Sequence, residues 1–156
     1  MKKNKTSKNW IIKNRRDPFV KKSKIQGFRS RSAYKLIEMN EKFKFLKKNS
    51  YILDLGSCPG GWSQVVRKIA IKGKILAVDI KHMEKIENVD FLQGDFTENF
   101  IYKKILIYFE KKIDVVISDV AVNTSGNKNL DSYRTGELCI KAMDLAKNIL
   151  HKDGVF

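Results

Sequence analysis

The residues Asp54-Leu55-Gly56-Ser57-Cys58-Pro59-Gly60-Gly61-Trp62 concentrate the chemistry available to this chain. They follow an apolar run, Tyr51-Ile52-Leu53, and precede a helical pattern. The expected order is strand, tight glycine turn, helix, which opens a nucleotide-binding α/β unit. Gly56, Gly60 and Gly61 let the backbone turn sharply and approach a ligand where a Cβ would collide. No Gly-Lys-Ser/Thr follows, so this is not a Walker A loop, and the spacing is not a clean GxGxxG. A strand ending in D-L-G, followed by x-x-P-G-G-W, favours S-adenosylmethionine over a dinucleotide.

Four acids are expected at successive strand ends: Asp54, Asp79, Asp95 and Asp119. In open α/β sheets the ligand lies beyond those ends, near the switch point in strand order. A carboxylate at Asp79 can accept both hydroxyl protons of a ribose. Asp95, in Gln93-Gly94-Asp95-Phe96, can accept from an adenine amino group. A lone strand-end Asp is as readily a cap or a turn former; four in succession point to a ligand. Trp62 can be core or can wall a cofactor pocket.

The surrounding pattern supplies the scaffold. A helix is expected from Ser30, with Ala33, Leu36, Ile37, Asn40 and Phe43 near one face, Ser30 or Ser32 as cap and Asn49-Ser50 as its close. Strands follow at Tyr51–Leu55, Ile75–Asp79, Val89–Leu92 and Ile113–Ser118. Helices are expected over Trp62–Ala70, Thr97–Lys111 and Thr135–Leu150, and Asn123–Asp131 reads as a polar loop. Val155-Phe156 reads as the start of a fifth strand. The continuous apolar run I-L-A-V-D suits a parallel strand covered on both faces. The alternation predicts an α/β fold with a doubly wound, mostly parallel, Rossmann-like sheet.

The chain has 156 residues, enough for one domain with a substantial core, and a formal net charge of +15. Residues 1–48 hold 17 Lys/Arg against three acids, whereas residues 49–156 hold 15 against 14. A basic arm on a nearly neutral domain fits a polyanionic partner, because neutralised phosphates release counterions. Trp10, Ile11, Ile12, Phe19 and Val20 lie among the arm's cations, where they can stack on bases or dock on the core. Asp17-Pro18 reads as a turn. No membrane span or signal peptide is evident, so the cytoplasm is the expected compartment. Cys58 and Cys139 form neither a CxxC nor a zinc spacing; both are expected to be reduced, with no metal bound.

Taken together, these motifs resemble the FtsJ/RrmJ-type family of ribosomal RNA methyltransferases. The matching pieces are D-P-F-V from Asp17, G-F-R-S-R-S-A-Y-K-L from Gly27, D-L-G-S-C-P-G-G-W-S-Q from Asp54, V-D-F-L-Q-G-D-F from Val89 and S-D-V-A-V-N from Ser118. They occur in order and cover nearly all the chain after the arm. The resemblance implies 2′-O-methylation of a uridine ribose in large-subunit ribosomal RNA during ribosome assembly, with S-adenosylmethionine as donor; a monomer is expected. Residues 1–27 have little apolar periodicity and are expected to form a mobile basic arm with short ordered pieces, leaving residues 28–156 as the methyltransferase domain, incomplete at its C-terminus. The resemblance further implies that Gly60, Trp62, Asp79, Asp95 and Asp119 contact the cofactor. Of the family's Lys-Asp-Lys-Glu tetrad, Lys35 matches the first lysine and Asp119 the aspartate.

The tetrad's second lysine, expected a few residues into strand five, and its glutamate are absent from this sequence. The sequence is therefore expected to be a C-terminally truncated enzyme. The alternative is a non-catalytic RNA-binding protein of ribosome assembly with a vestigial methyltransferase fold. On either reading strand four is expected to lose its covered neighbour and leave an apolar edge. Val122 stands where the family has proline, which is expected to loosen that loop. A dinucleotide-dependent oxidoreductase is disfavoured by the glycine spacing and by the basic arm.

Overall fold

A computed structural model of the protein describes residues 17–122 and 125–156. Trp10, Ile11, Ile12 and Asn123 lie outside the described residues. The elements are α1 (Pro18–Ile25), α2 (Ala33–Phe43), β1 (Ile52–Leu55), α3 (Gly61–Ile69), β2 (Ile75–Asp79), β3 (Asp90–Gln93), α4 (Asn99–Phe109), β4 (Ile113–Ser118), α5 (Lys128–Ile149) and β5 (Leu150–Val155). The five strands form one sheet in the order β3-β2-β1-β4-β5, and every pair is parallel.

The strand sequences explain this arrangement. Ile52, Leu53, Asp54 and Leu55 of β1 are all buried, as are Ile75 to Val78 of β2. Period-two alternation sends Ile52, Ile75, Ala77, Val115 and Ile117 to one face, against Ala33 and Leu36 of α2 and Val65 and Val66 of α3. Leu53, Leu55, Leu76, Val78 and Val116 face the other way, against Ile101 and Ile105 of α4 and Ala142, Leu145 and Ile149 of α5. Both faces are covered, which is why these strands are mostly apolar, with Asp54 the buried exception in β1. The chain moves outward from β1 to β3, then crosses back to β4 on the other side of β1. The switch point therefore lies between β1 and β4, whose register sets Leu55 opposite Ser118.

Several boundaries differ from the sequence reading. Asp17-Pro18 starts a helix instead of forming a turn. The Asp17 side chain accepts the Phe19 N–H at 2.9 Å, and Pro18 occupies a first-turn position that needs no N–H. α1 then docks on α2 through Phe19, and Phe28 of the following turn packs on the same Tyr34 ring. α2 begins after Ser32 without a side-chain cap and ends at Lys44 in the left-handed conformation, well before Asn49-Ser50. Phe43 is exposed. α5 starts at Lys128, because Asn127 accepts the N–H groups of Asn129 and Leu130. Its first turns are polar and exposed, so no apolar periodicity marks them.

The expected open edge on β4 is not found. β5 spans Leu150–Val155 and pairs with β4 at Ile113–Leu150 and Val115–Val155, with a register shift between the two. Within the bulge, His151 Nε2 lies 3.2 Å from Asp114 Oδ1, whose other oxygen accepts the Tyr51 N–H. The segment L-H-K-D-G-V carries turn-like residues, which hid the strand.

Candidate active site

A cleft of about 400 Å³ opens at the carboxyl ends of the strands, where the strand order reverses. Gly56 and Cys58 of the glycine turn form its floor. Asp79, Asp95 and Asp119 line it from the ends of β2, β3 and β4. Each of these acids is followed by an apolar residue that also lines the cleft: Ile80, Phe96 and Val120. The strand ends thus present carboxylates and apolar walls alternately.

Gly56 has φ +73°, and a Cβ there would lie 2.6 Å from Val120 Cγ1. Only glycine lets the turn after β1 pass beside the segment after β4. Asp79 Oδ2 accepts the Cys58 N–H at 2.9 Å and Oδ1 accepts the Lys81 N–H at 2.8 Å. Both oxygens keep lone pairs for a ligand. Asp95 Oδ1 accepts the Thr97 N–H at 2.8 Å, an Asx turn that fixes its carboxylate at the cleft wall.

Asp54 is not part of the lining. It is buried on the inner face of β1 and accepts a hydrogen bond from Ser63 Oγ at 2.6 Å. Burial pushes its carboxyl up to about 7, Asp119 and Asp79 add to the rise, and the Ser63 hydroxyl opposes it. Of the four strand-end acids, three therefore face the cleft and one supports it.

Lys35 and Asp119 meet. Lys35 Nζ donates to Asp119 Oδ1 at 3.2 Å, with both side chains partly exposed. The same ammonium lies 5.4 Å from the centre of the Trp62 ring. Trp62 is buried, donates its indole N–H to the Ser32 carbonyl at 2.9 Å, and does not line the Asp79 cleft. It lines a second, apolar groove of about 590 Å³ with Lys35, Phe43 and Phe156. Gly60, also outside the cleft lining, is a buried left-handed turn residue with φ +108°. A Cβ at Gly60 would lie within 3.1 Å of Ile86, Arg29 and Met83.

The cleft suits a cationic nucleoside ligand. Three carboxylates against Lys81 favour positive charge, flat apolar walls suit a base, and the glycine cradle leaves room for close approach. Among the described residues there is no cluster of three metal-ligating side chains. The sequence reading missed Ile80, Phe96, Val120 and Leu138 as cleft residues; for the first three, the apolar residue directly after each strand-end acid was the available signal.

Comparison with known proteins agrees with this geometry. Residues 28–156 match the model of the FtsJ-like methyltransferase family. The chain belongs to that family. Among curated relatives of this FtsJ-like chain is ribosomal RNA large subunit methyltransferase E of Pelagibacter ubique (strain HTCC1062), 49% identical over all 156 residues and 77% of the relative. The protein of the same name from Acinetobacter baumannii (strain ATCC 17978) is 44% identical, over 97% of this chain and 71% of the relative. A ribosomal RNA methyltransferase structure from Plasmodium falciparum superposes with a TM-score of 0.74 at 39% identity, covering 82% of this chain and 77% of that one. The MycE methyltransferase of mycinamycin biosynthesis, solved with Mg and SAH, shares the fold alone at 16% identity and a TM-score of 0.54; 90% of this chain and 34% of that one are covered.

Proposed function

We propose that this FtsJ-like methyltransferase transfers a methyl group from S-adenosylmethionine to the 2′-hydroxyl of a uridine in large-subunit ribosomal RNA. The observation that carries this reading is the Lys35–Asp119 pair at the edge of the carboxylate-lined cleft. The relatives' names supply the RNA class. On this reading the chain acts as a monomer in the cytoplasm during ribosome assembly.

Bound in the cleft, S-adenosylmethionine supplies an activated methyl group on a sulfonium. Asp79 would hold the ribose hydroxyls and Asp95 the adenine amino group, between Ile80, Phe96 and Val120. The methyl acceptor is a poor nucleophile, so orientation and proton removal matter most. The Lys35 ammonium spends one N–H on Asp119 and has two left for the incoming ribose or its phosphate. The second Asp119 oxygen has no partner among the described residues and can accept from the acceptor hydroxyl. Lys35 thus fixes the hydroxyl beside the donor cleft, and the Asp119 carboxylate receives its proton.

Residues 1–27 act as a basic arm that grips RNA phosphate, and residues 28–156 form the methyltransferase domain. Within the arm, α1 carries Lys21, Lys22 and Lys24.

The test is methyl transfer from labelled S-adenosylmethionine to unmodified large ribosomal subunits, with the product mapped by nuclease digestion. A labelled 2′-O-methyluridine is the expected result. A labelled base, or no label with a folded chain that binds the donor, would overturn the proposal and favour a non-catalytic RNA-binding role.

A further inference from the structure

Arg29 lies outside the cleft, yet its side chain ties together the segments that build it. Its guanidinium donates to the Pro59 carbonyl at 3.2 Å, the Glu84 carbonyl at 2.6 Å and the Lys85 carbonyl at 2.9 Å. Pro59 belongs to the glycine turn, next to Cys58, whose N–H is held by Asp79. Glu84 and Lys85 belong to the loop that follows Asp79. The fork therefore joins the two chain segments on either side of the Asp79 carboxylate. All three acceptors are backbone carbonyls, so the contact depends on loop shape and not on a particular side chain opposite.

The backbone around Arg29 is anchored as firmly. Its N–H donates to Gln64 Oε1 at 2.8 Å, and Gln64 Nε2 donates to the Gly27 carbonyl at 3.0 Å. The Trp62 indole holds Ser32. A Cβ at Gly61 would lie 2.0 Å from Ser30 Oγ, so this segment lies directly on the glycine turn. Lys35 follows within the first turn of α2.

We propose that Arg29 is a positioning residue that holds the glycine turn and the Met83–Ile86 loop in place around Asp79, so that the methyl donor meets a preformed cleft. This rests on the reading that the cleft binds S-adenosylmethionine. A planar fork with fixed donors can span three carbonyls; a lysine ammonium is a single point on a flexible stem and cannot.

The experiment compares the full chain with Arg29→Ala, Arg29→Lys and Asp79→Ala, each first checked for a cooperative thermal transition. Donor affinity is measured by calorimetry with S-adenosylmethionine and with S-adenosylhomocysteine. Both Arg29 variants are expected to bind about 10- to 100-fold more weakly, the scale of a lost charged hydrogen bond. Ethylguanidinium is expected to restore much of the affinity of Arg29→Ala, which a role in bulk stability alone would not produce. Parent-like affinity in Arg29→Lys, or no rescue of Arg29→Ala, would overturn the proposal. Should Arg29→Ala not fold, Arg29→Lys decides by its affinity. If Asp79→Ala binds the donor like the parent, the cleft reading itself fails; if only the Arg29 variants do so, the positioning role fails alone.

Discussion

Lys35 Nζ and Asp119 Oδ1 are 3.2 Å apart, although 84 residues separate them in sequence. The contact joins the first turn of α2 to the end of β4, so it forms only once α2 has docked on the sheet. Its position at the cleft edge, with both side chains open to solvent, suits a pair that acts on an incoming polymer. A partly exposed ion pair of this kind contributes at most about 1 kcal/mol to stability. Removing Lys35 should therefore damage chemistry far more than folding. Lys35→Ala is expected to lower kcat by about 10²-fold or more, because the acceptor hydroxyl and the Asp119 carboxylate both lose the group that positions them. Its donor affinity and melting temperature should stay near those of the parent. Single-turnover methyl transfer with saturating donor checks this, and a parent-like rate would remove Lys35 from the site.

Asp79 combines two tasks, holding backbone N–H groups of Cys58 and Lys81 while facing the cleft. Asp79→Ala should weaken donor binding by about 1–3 kcal/mol, the scale of a hydrogen bond to a charged group. Asp79→Asn retains one acceptor oxygen and should lose less. Calorimetric titration of both variants decides the matter; equal affinity in parent and Asp79→Ala would exclude the ribose-clamp assignment.

Gly56→Ala tests the turn. Its φ of +73° costs a non-glycine residue about 1–2 kcal/mol. The added Cβ also meets Val120 Cγ1 at 2.6 Å, and Val120 is a cleft wall. The variant should lose both stability and donor affinity. Adding Val120→Ala should recover part of the stability by removing the Cγ1 contact, while the strain at φ remains. Urea unfolding of the parent, both single variants and the double variant measures this coupling; strict additivity would argue against the contact.

The parallel sheet and most of the cleft were legible because β1, β2 and β4 are written as mostly apolar runs, and Asp79, Asp95 and Asp119 lie at or just after the ends of β2, β3 and β4. What the sequence could not show was depth. Asp54 and Asp79 look alike as strand-end acids, but Asp54 is buried against Ser63 of α3 while Asp79, the last residue of β2, opens onto the cleft. Trp62 likewise gave no sign that its indole would be held by Ser32, on the Lys35 side of the glycine turn. β5 was hidden because its bulge carries His, Lys, Asp and Gly, and the start of α5 because its first turns bury little. Arg29 escaped notice for another reason: its acceptors are backbone carbonyls, and no residue type announces them.

The inward turn of Asp54 has a measurable consequence. Its carboxyl is held at about 7 when folded, chiefly by burial, against an ordinary value of 3.8. Between these values the folded state keeps a proton that the unfolded state has released. Unfolding then releases a proton, so this group's contribution to stability falls as pH rises from about 4 to about 7 and levels off above. The slope is at most about 1.4 kcal/mol per pH unit. Other carboxylates with lowered values push the opposite way, so the informative quantity is the difference between the parent and Asp54→Asn. The variant carries no titrating group at this position. The parent's advantage over it should be largest near pH 4 and shrink steadily toward pH 7. Urea unfolding of both proteins at a series of pH values measures it, and a pH-independent difference would show that Asp54 does not hold its proton in the folded state.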